Sequence, residues 1–188
     1  MRKVATKDLN LEPFTYKGII DNFGKIHPFD TGNKPLEIKA GFIIYNKDGG
    51  EAILVRDTAS GKYGFPKGSY DNEKDKNILQ TAIRELYEET GIKISPQQIT
   101  YALQHVFKFT RNKKACYSFY VYVVVELNNE ELHDIFNNAH IDLKEISAIK
   151  LLNFRKLNYL CQSKINNVYS CTYVTQTFIK YLMNLRSC

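Results

Sequence analysis

The chain has no tryptophan. Any stacking against a nucleobase must therefore come from tyrosine or phenylalanine. Cysteine is scarce: Cys116, Cys161, Cys171 and Cys188 are the only four. They form no C-x-x-C pair and no histidine stands at finger spacing, which argues against a zinc site and leaves reduced thiols as the default. No apolar run approaches the ~18 residues of a membrane span, so no membrane is expected. The first residues, MRKVATKDLNLEPF, lack an apolar h-region. No secretory signal is expected, and the expected location is the cytoplasm. There is no internal repeat and no low-complexity tract.

What is present suits one globular domain: 188 residues, 44% apolar. The formal net charge of +6 favours an anionic partner without identifying one, and lysine-rich solubility explains it equally. Residues 1–36 are interrupted by Pro13, Gly18, Gly24, Pro28 and Gly32, with a short strand expected in YKGIIDNFG. This arm interleaves Arg2, Lys3, Lys7, Lys17 and Lys25 with Phe14, Tyr16, Phe23 and Phe29. It is expected to pack across the domain, with a nucleic-acid or cap-lining role as the alternative.

Strand signals begin at Glu37–Asn46, and KDGG turns the chain into a partner strand, EAILVR. TYALQHVFKF and ACYSFYVYVVVEL are rich in aromatic and β-branched residues and predict two more strands around a basic tip with Arg111, Lys113 and Lys114. NNEELHDIFNNA predicts a short helix. The tail places Val174, Phe178, Tyr181, Leu182 and Leu185 on one side of a packing helix. The domain proper is expected over 37–160, with the arm 1–36 and a C-terminal helix in 161–188 packed on it.

The most informative stretch runs from Tyr63 to Ile92. Pro66 and Gly68 make its first part a loop, and Gly91 stops the helix that follows. At ~100° per residue, Leu79, Ala82, Ile83, Leu86 and Thr90 share one side of that helix. Glu85, Glu88 and Glu89 stand at i, i+3 and i+4 and gather on another, where they repel one another by a few tenths of a kcal/mol per pair, roughly. A hard divalent cation turns that repulsion into ligation, because Mg²⁺ takes carboxylate oxygens together with substrate phosphates. A solvated acidic face is the plainer reading of three glutamates alone.

The surrounding residues resemble a known pattern. R-E-L-Y-E-E-T-G-I, Arg84 to Ile92, preceded by F-P-K-G, is similar to the Nudix box, G-x5-E-x7-R-E-U-x-E-E-x-G-U with U aliphatic. The resemblance implies an α/β (α+β) Nudix fold, a mixed sheet between helices, and hydrolysis of a nucleoside diphosphate linked to another group. It implies Mg²⁺ or Mn²⁺ held by Glu85, Glu88 and Glu89 with the carbonyl of Gly68. One position departs: Gly68 to Arg84 is two residues too long, and Lys76 stands where the family has the glutamate that pairs with the box arginine. Glu73 is expected to swing in and pair with Arg84 instead.

Within the family, GKYGFPKG and the segment Glu145–Ile149, continued by Leu152–Leu157, most resemble the mRNA-decapping enzymes of cellular or large-DNA-virus type. There Glu145 would reach the metal site as ligand or general base. Glu85, Glu89, Glu145 and Arg84 are the implied catalytic set, with either Glu145 or a box glutamate as base. Lys67 is expected to contact phosphate, and Tyr63 and Phe65 to stack on a cap base. The partner implied is capped RNA or another anionic polyphosphate, and an activating protein is left open. Two other readings stay open: hydrolysis of diphosphoinositol or dinucleoside polyphosphates, and a Nudix-fold RNA-binding module without turnover.

Overall fold

The computed structural model describes residues 1–4, 19–20, 26–27, 37–48, 50–111, 114–141, 144–162, 164–165, 168–169 and 171–186. In chain order the strands are β1 (Arg2–Val4), β2 (Ile19–Ile20), β3 (Ile26–His27), β4 (Glu37–Asn46), β5 (Glu51–Asp57), β6 (Tyr63–Gly64), β7 (Lys67–Ser69), β8 (Tyr101–Arg111), β9 (Lys114–Leu127), β10 (Ile146–Asn153), β11 (Lys164–Ile165) and β12 (Val168–Tyr169). The helices are α1 (Ile78–Thr90), α2 (Asn129–Asn137), α3 (Phe154–Gln162) and α4 (Tyr173–Arg186). The expected strands and helices of the domain are thus present. The arm contributes β1, which pairs with β8, and the two-stranded β2–β3 unit. Phe14, Tyr16, Phe23, Phe29, Lys7, Lys17, Lys25 and Lys113 lie outside the described residues. No helix among the described residues is long and apolar enough to cross a membrane.

The central sheet runs β1-β8-β9-β4-β5-β10. β8 and β9 form the expected hairpin, closing at Arg111↔Lys114. The principal partner of β4 is β9, parallel to it from Glu37↔Ser118 to Asn46↔Leu127. The expected β4–β5 hairpin pairs only at its closed end, Tyr45↔Ala52, and then parts. β6 joins β5 at Val55↔Gly64, while β7 joins β4 at Gly41↔Lys67 and Ala40↔Gly68. The segment 63–69 is therefore wedged into the split. Gly41 permits the wedge: a Cβ there would collide with the Pro66 carbonyl and with Lys67. The Pro66 carbonyl accepts the Phe42 N–H at 3.0 Å.

Strand alternation divides the core in two. On one face Phe42, Ile44, Val121 and Val123 meet Ile78, Leu79, Ala82 and Leu86 of α1 and Leu132 of α2. On the other, Ile43, Phe65, Leu103 and Tyr122 meet Phe154 and Leu157 of α3 and Val174, Phe178 and Leu182 of α4. Each large apolar side chain so buried contributes about 1.5–3 kcal/mol. This clamps α1 against the sheet beside the wedge. Asn77 caps α1 by accepting the Gln80 N–H at 2.9 Å, and Gly91, at φ 65°, ends it in the left-handed conformation.

Candidate active site

α1 lies over β7, and its glutamates separate. Glu85 and Glu89 turn inward, each 8% exposed, whereas Glu88 stays at the surface. The Glu85 carboxylate rests against Gly68, where an added Cβ would overlap it. The Glu89 carboxylate accepts the backbone N–H of Lys67 at 2.9 Å. Burial raises the Glu89 pKa to about 8, with Glu85 and Glu145 pushing the same way and Lys67 opposing. Glu85 is raised too, by burial first and then by Glu88 and Glu145, against Arg84. Burial lowers the pKa of Lys67, and Glu89, Asp57 and Glu85 partly restore it. Glu145 therefore raises the pKa of both inward glutamates, and Lys67 lowers that of Glu89. Glu145 is itself exposed, in the turn before β10, and its carbonyl is fixed by the Thr58 N–H at 2.8 Å.

Arg84 does not pair with Glu73. Its Nε and Nη2 donate to the two oxygens of Asp75 at 2.9 and 2.8 Å, its Nη1 to Glu85 at 2.7 Å and Glu88 at 2.9 Å, and its Nη2 also to the Ser69 carbonyl at 3.2 Å. Glu73 faces solvent. The turn explains the correction: the N–H groups of Lys74 and Asp75 both bond the Asp71 carbonyl, at 3.2 and 2.8 Å, and this coil delivers Asp75 to the base of α1. Asp75 also accepts from the Thr81 hydroxyl at 3.0 Å and the Asp71 N–H at 3.1 Å. Burial pushes its carboxyl up, but the bonds from Arg84, Asp71 and Thr81 outweigh it and the pKa falls. The residue was missed because it stands nine positions before Arg84 and is an aspartate. An acidic residue two before a capping asparagine was the available signal.

Of the two aromatic expectations, the one on Phe65 is corrected. Phe65 is fully buried, edge-on to Tyr122 at 5.7 Å, and offers no face to a base. Tyr63 is half-buried, with the Lys150 ammonium 5.3 Å from its ring centre.

A metal is implied by the sequence pattern, and the residues fit one chemically. Glu85 and Glu89 are buried carboxylates that repel each other, the donor set is all oxygen, and Gly68 leaves room for Glu85 to lie flat on the backbone. As they stand, no three His, Cys, Asp or Glu side chains among the described residues converge as ligands. Glu85 and Glu88 are turned to Arg84, and Glu89 to the Lys67 amide. Gly68→Ala tests the cradle. It is expected to lower activity about 10- to 100-fold by displacing Glu85, with little change in the thermal midpoint because only the movable end of a side chain is in the way.

A family model described as NUDIX domain matches residues 35–168. The chain belongs to the NUDIX domain family. Among solved structures, the NUDIX domain of Shewanella oneidensis NrtR, complexed with ADP ribose, is 15% identical with a TM-score of 0.55, over 88% of this chain and 96% of that one. A C. elegans Ap4A hydrolase is 17% identical with a TM-score of 0.52, over 81% and 98%. A Francisella tularensis bifunctional NMN adenylyltransferase/ADP ribose pyrophosphatase, complexed with AMP and manganese, is 16% identical with a TM-score of 0.53, over 81% of this chain and 42% of that one. At such identities the likeness establishes the Nudix fold and leaves the substrate open. No curated protein matches the chain.

Proposed function

We propose that this Nudix domain is a divalent-metal-dependent pyrophosphohydrolase acting on capped RNA, with 7-methyl-GDP and 5′-monophosphate RNA as products. The observation that carries the reading is the wedge, which sets Lys67 and Gly68 against Glu89 and Glu85, while the charge of Glu145 raises the pKa of both glutamates. Glu145 heads the E-I-S-A-I segment that resembles the decapping enzymes, and the F-P-K-G wedge supplies the other shared stretch. The catalytic domain is assigned to 37–160, with the flanking segments packed on it.

Glu85, Glu88, Glu89 and the Gly68 carbonyl would hold Mg²⁺ or Mn²⁺. When bound, the ion screens the charge of the bridge and acidifies water. Lys67 reaches a phosphate oxygen from beside Glu89. Arg84 orients Glu85 and Glu88. Glu145 or a box glutamate takes the proton as a water oxygen–phosphorus bond forms and a bridging phosphorus–oxygen bond breaks.

Cap-labelled RNA incubated with Mg²⁺ or Mn²⁺ tests the proposal. Labelled 7-methyl-GDP on thin-layer analysis, absent with Glu89→Gln, is the expected result. If capped RNA stays intact while diphosphoinositol or a dinucleoside polyphosphate is cleaved, the substrate assignment is wrong. If none turns over, the site is a binding module.

A further inference from the structure

On the sheet face that carries α3 and α4, opposite the face covered by α1, three side chains share one surface. Tyr63 of β6 and Ala148 of β10 both stand opposite Arg56 of β5, and Lys150 stands opposite Leu54, two residues along. Leu54 packs into the α3/α4 core, so alternation turns Arg56, Tyr63 and Lys150 to that same side, at its rim. Arg56 and Lys150 are exposed. The Arg56 Nε is steadied by the Gly61 carbonyl at 3.1 Å, and the Lys150 Nζ stands 5.3 Å from the centre of the Tyr63 ring. Among the described residues neither cation has a carboxylate in ion-pair contact. Tyr63 is held by its backbone, whose carbonyl accepts the Thr172 N–H at 3.2 Å. The next residue, Tyr173, is 68% exposed, with its ring 5.8 Å from that of Phe107. The patch begins one residue from Asp57, which neighbours Lys67 electrostatically, and three from Glu145 through Ala148.

We propose that Arg56, Tyr63 and Lys150 bind the single-stranded RNA body that follows the scissile bridge, rather than the cap base. This rests on the decapping reading. The argument is charge. N7-methylation leaves a guanine base with a delocalised positive charge, and a ring with the Lys150 ammonium 5.3 Å from its centre, next to the strand position of Arg56, repels it. A nucleotide of the RNA body suits the same surface, since its uncharged base stacks on Tyr63 while the flanking phosphates meet Arg56 and Lys150.

The test compares wild type with the double variant Arg56→Glu/Lys150→Glu, whose exposed positions leave the thermal midpoint as a check of folding. Binding of a fluorescent 5′-monophosphate RNA of about 20 nucleotides is read without turnover, across a salt series. The variant is expected to bind about tenfold or more weakly, and its dependence of log K on log salt is expected to flatten by roughly one unit or more, for two lost phosphate contacts. The ratio of kcat/KM on capped RNA to that on the cap dinucleotide falls in step. Equal RNA binding by both proteins overturns the patch alone. Equal losses on capped RNA and cap dinucleotide overturn it too, and place the cations at the bridge itself. A wild type that binds RNA but hydrolyses neither substrate contradicts the decapping reading, while the binding comparison still decides the patch. A wild type that binds no RNA overturns the patch outright.

Discussion

Glu89→Gln is expected to lower kcat/KM on the phosphoanhydride substrate by about 10²-fold or more, while making the metal-free protein more stable at alkaline pH. Both effects come from one carboxylate. Glu89 is 8% exposed, and burial raises its pKa from the ordinary 4.5 to about 8. A carboxyl raised on folding contributes stability that is complete below the unfolded value and lost as pH rises through the folded one. The metal-free protein should therefore weaken between pH 4.5 and about 8, and the glutamine variant should lack this loss. Metal binding needs the deprotonated form, so apparent Mn²⁺ affinity should rise by up to about tenfold per pH unit until the group is ionised. Calorimetric titration with Mn²⁺ and thermal melts without metal, both from about pH 6 to about pH 9, read the two effects separately. Equal turnover by the variant would remove Glu89 from the machinery. A pH-independent Mn²⁺ affinity would separate its titration from metal binding.

The segments carrying that chemistry were readable because their patterns are local. The 3.6-residue stripe of α1, its glycine stop and the aromatic, β-branched runs of β8 and β9 depend on near neighbours, and the structure repeats them almost residue for residue. The glutamates of α1 were readable as a group but not in their burial. Spacing put Glu85, Glu88 and Glu89 together, whereas contact with β7 buries the i, i+4 pair and leaves Glu88 outside. The splitting of β4 from β5 was invisible because it depends on a wedge that only Gly41 admits. Phe65 was misread for the same reason. A phenylalanine in a glycine- and proline-rich loop suggests exposure, but the wedge carries it into the α3/α4 core. Lys67 and Glu89 stand 22 residues apart, and their contact follows from the same insertion.

Asp75→Asn is expected to destabilise the fold by about 3–5 kcal/mol, the usual loss when one partner of a buried ion pair is removed, and to depress activity as well. The Asp75 side chain is 2% exposed and accepts four hydrogen bonds, two of them from Arg84. Asparagine keeps the shape but supplies one acceptor oxygen, and its NH₂ would face an arginine N–H, donor against donor. Arg84 then has only Glu85, Glu88 and the Ser69 carbonyl to satisfy it, so its charge falls more heavily on the carboxylates proposed to take metal. Weaker Mn²⁺ affinity should accompany the lost stability, which a purely structural role would not require. The acid limb of stability should change too. Asp75 titrates below its ordinary 3.8 in the fold, so its stabilisation is present above that value and is lost as pH falls beneath it; the variant should lose that dependence. Glu73→Gln is the control, expected within about 0.5 kcal/mol of wild type, as for most surface substitutions. Denaturant melts of the two variants decide between the residues. A large loss from Glu73→Gln with a silent Asp75→Asn would return the arginine's anchor to Glu73.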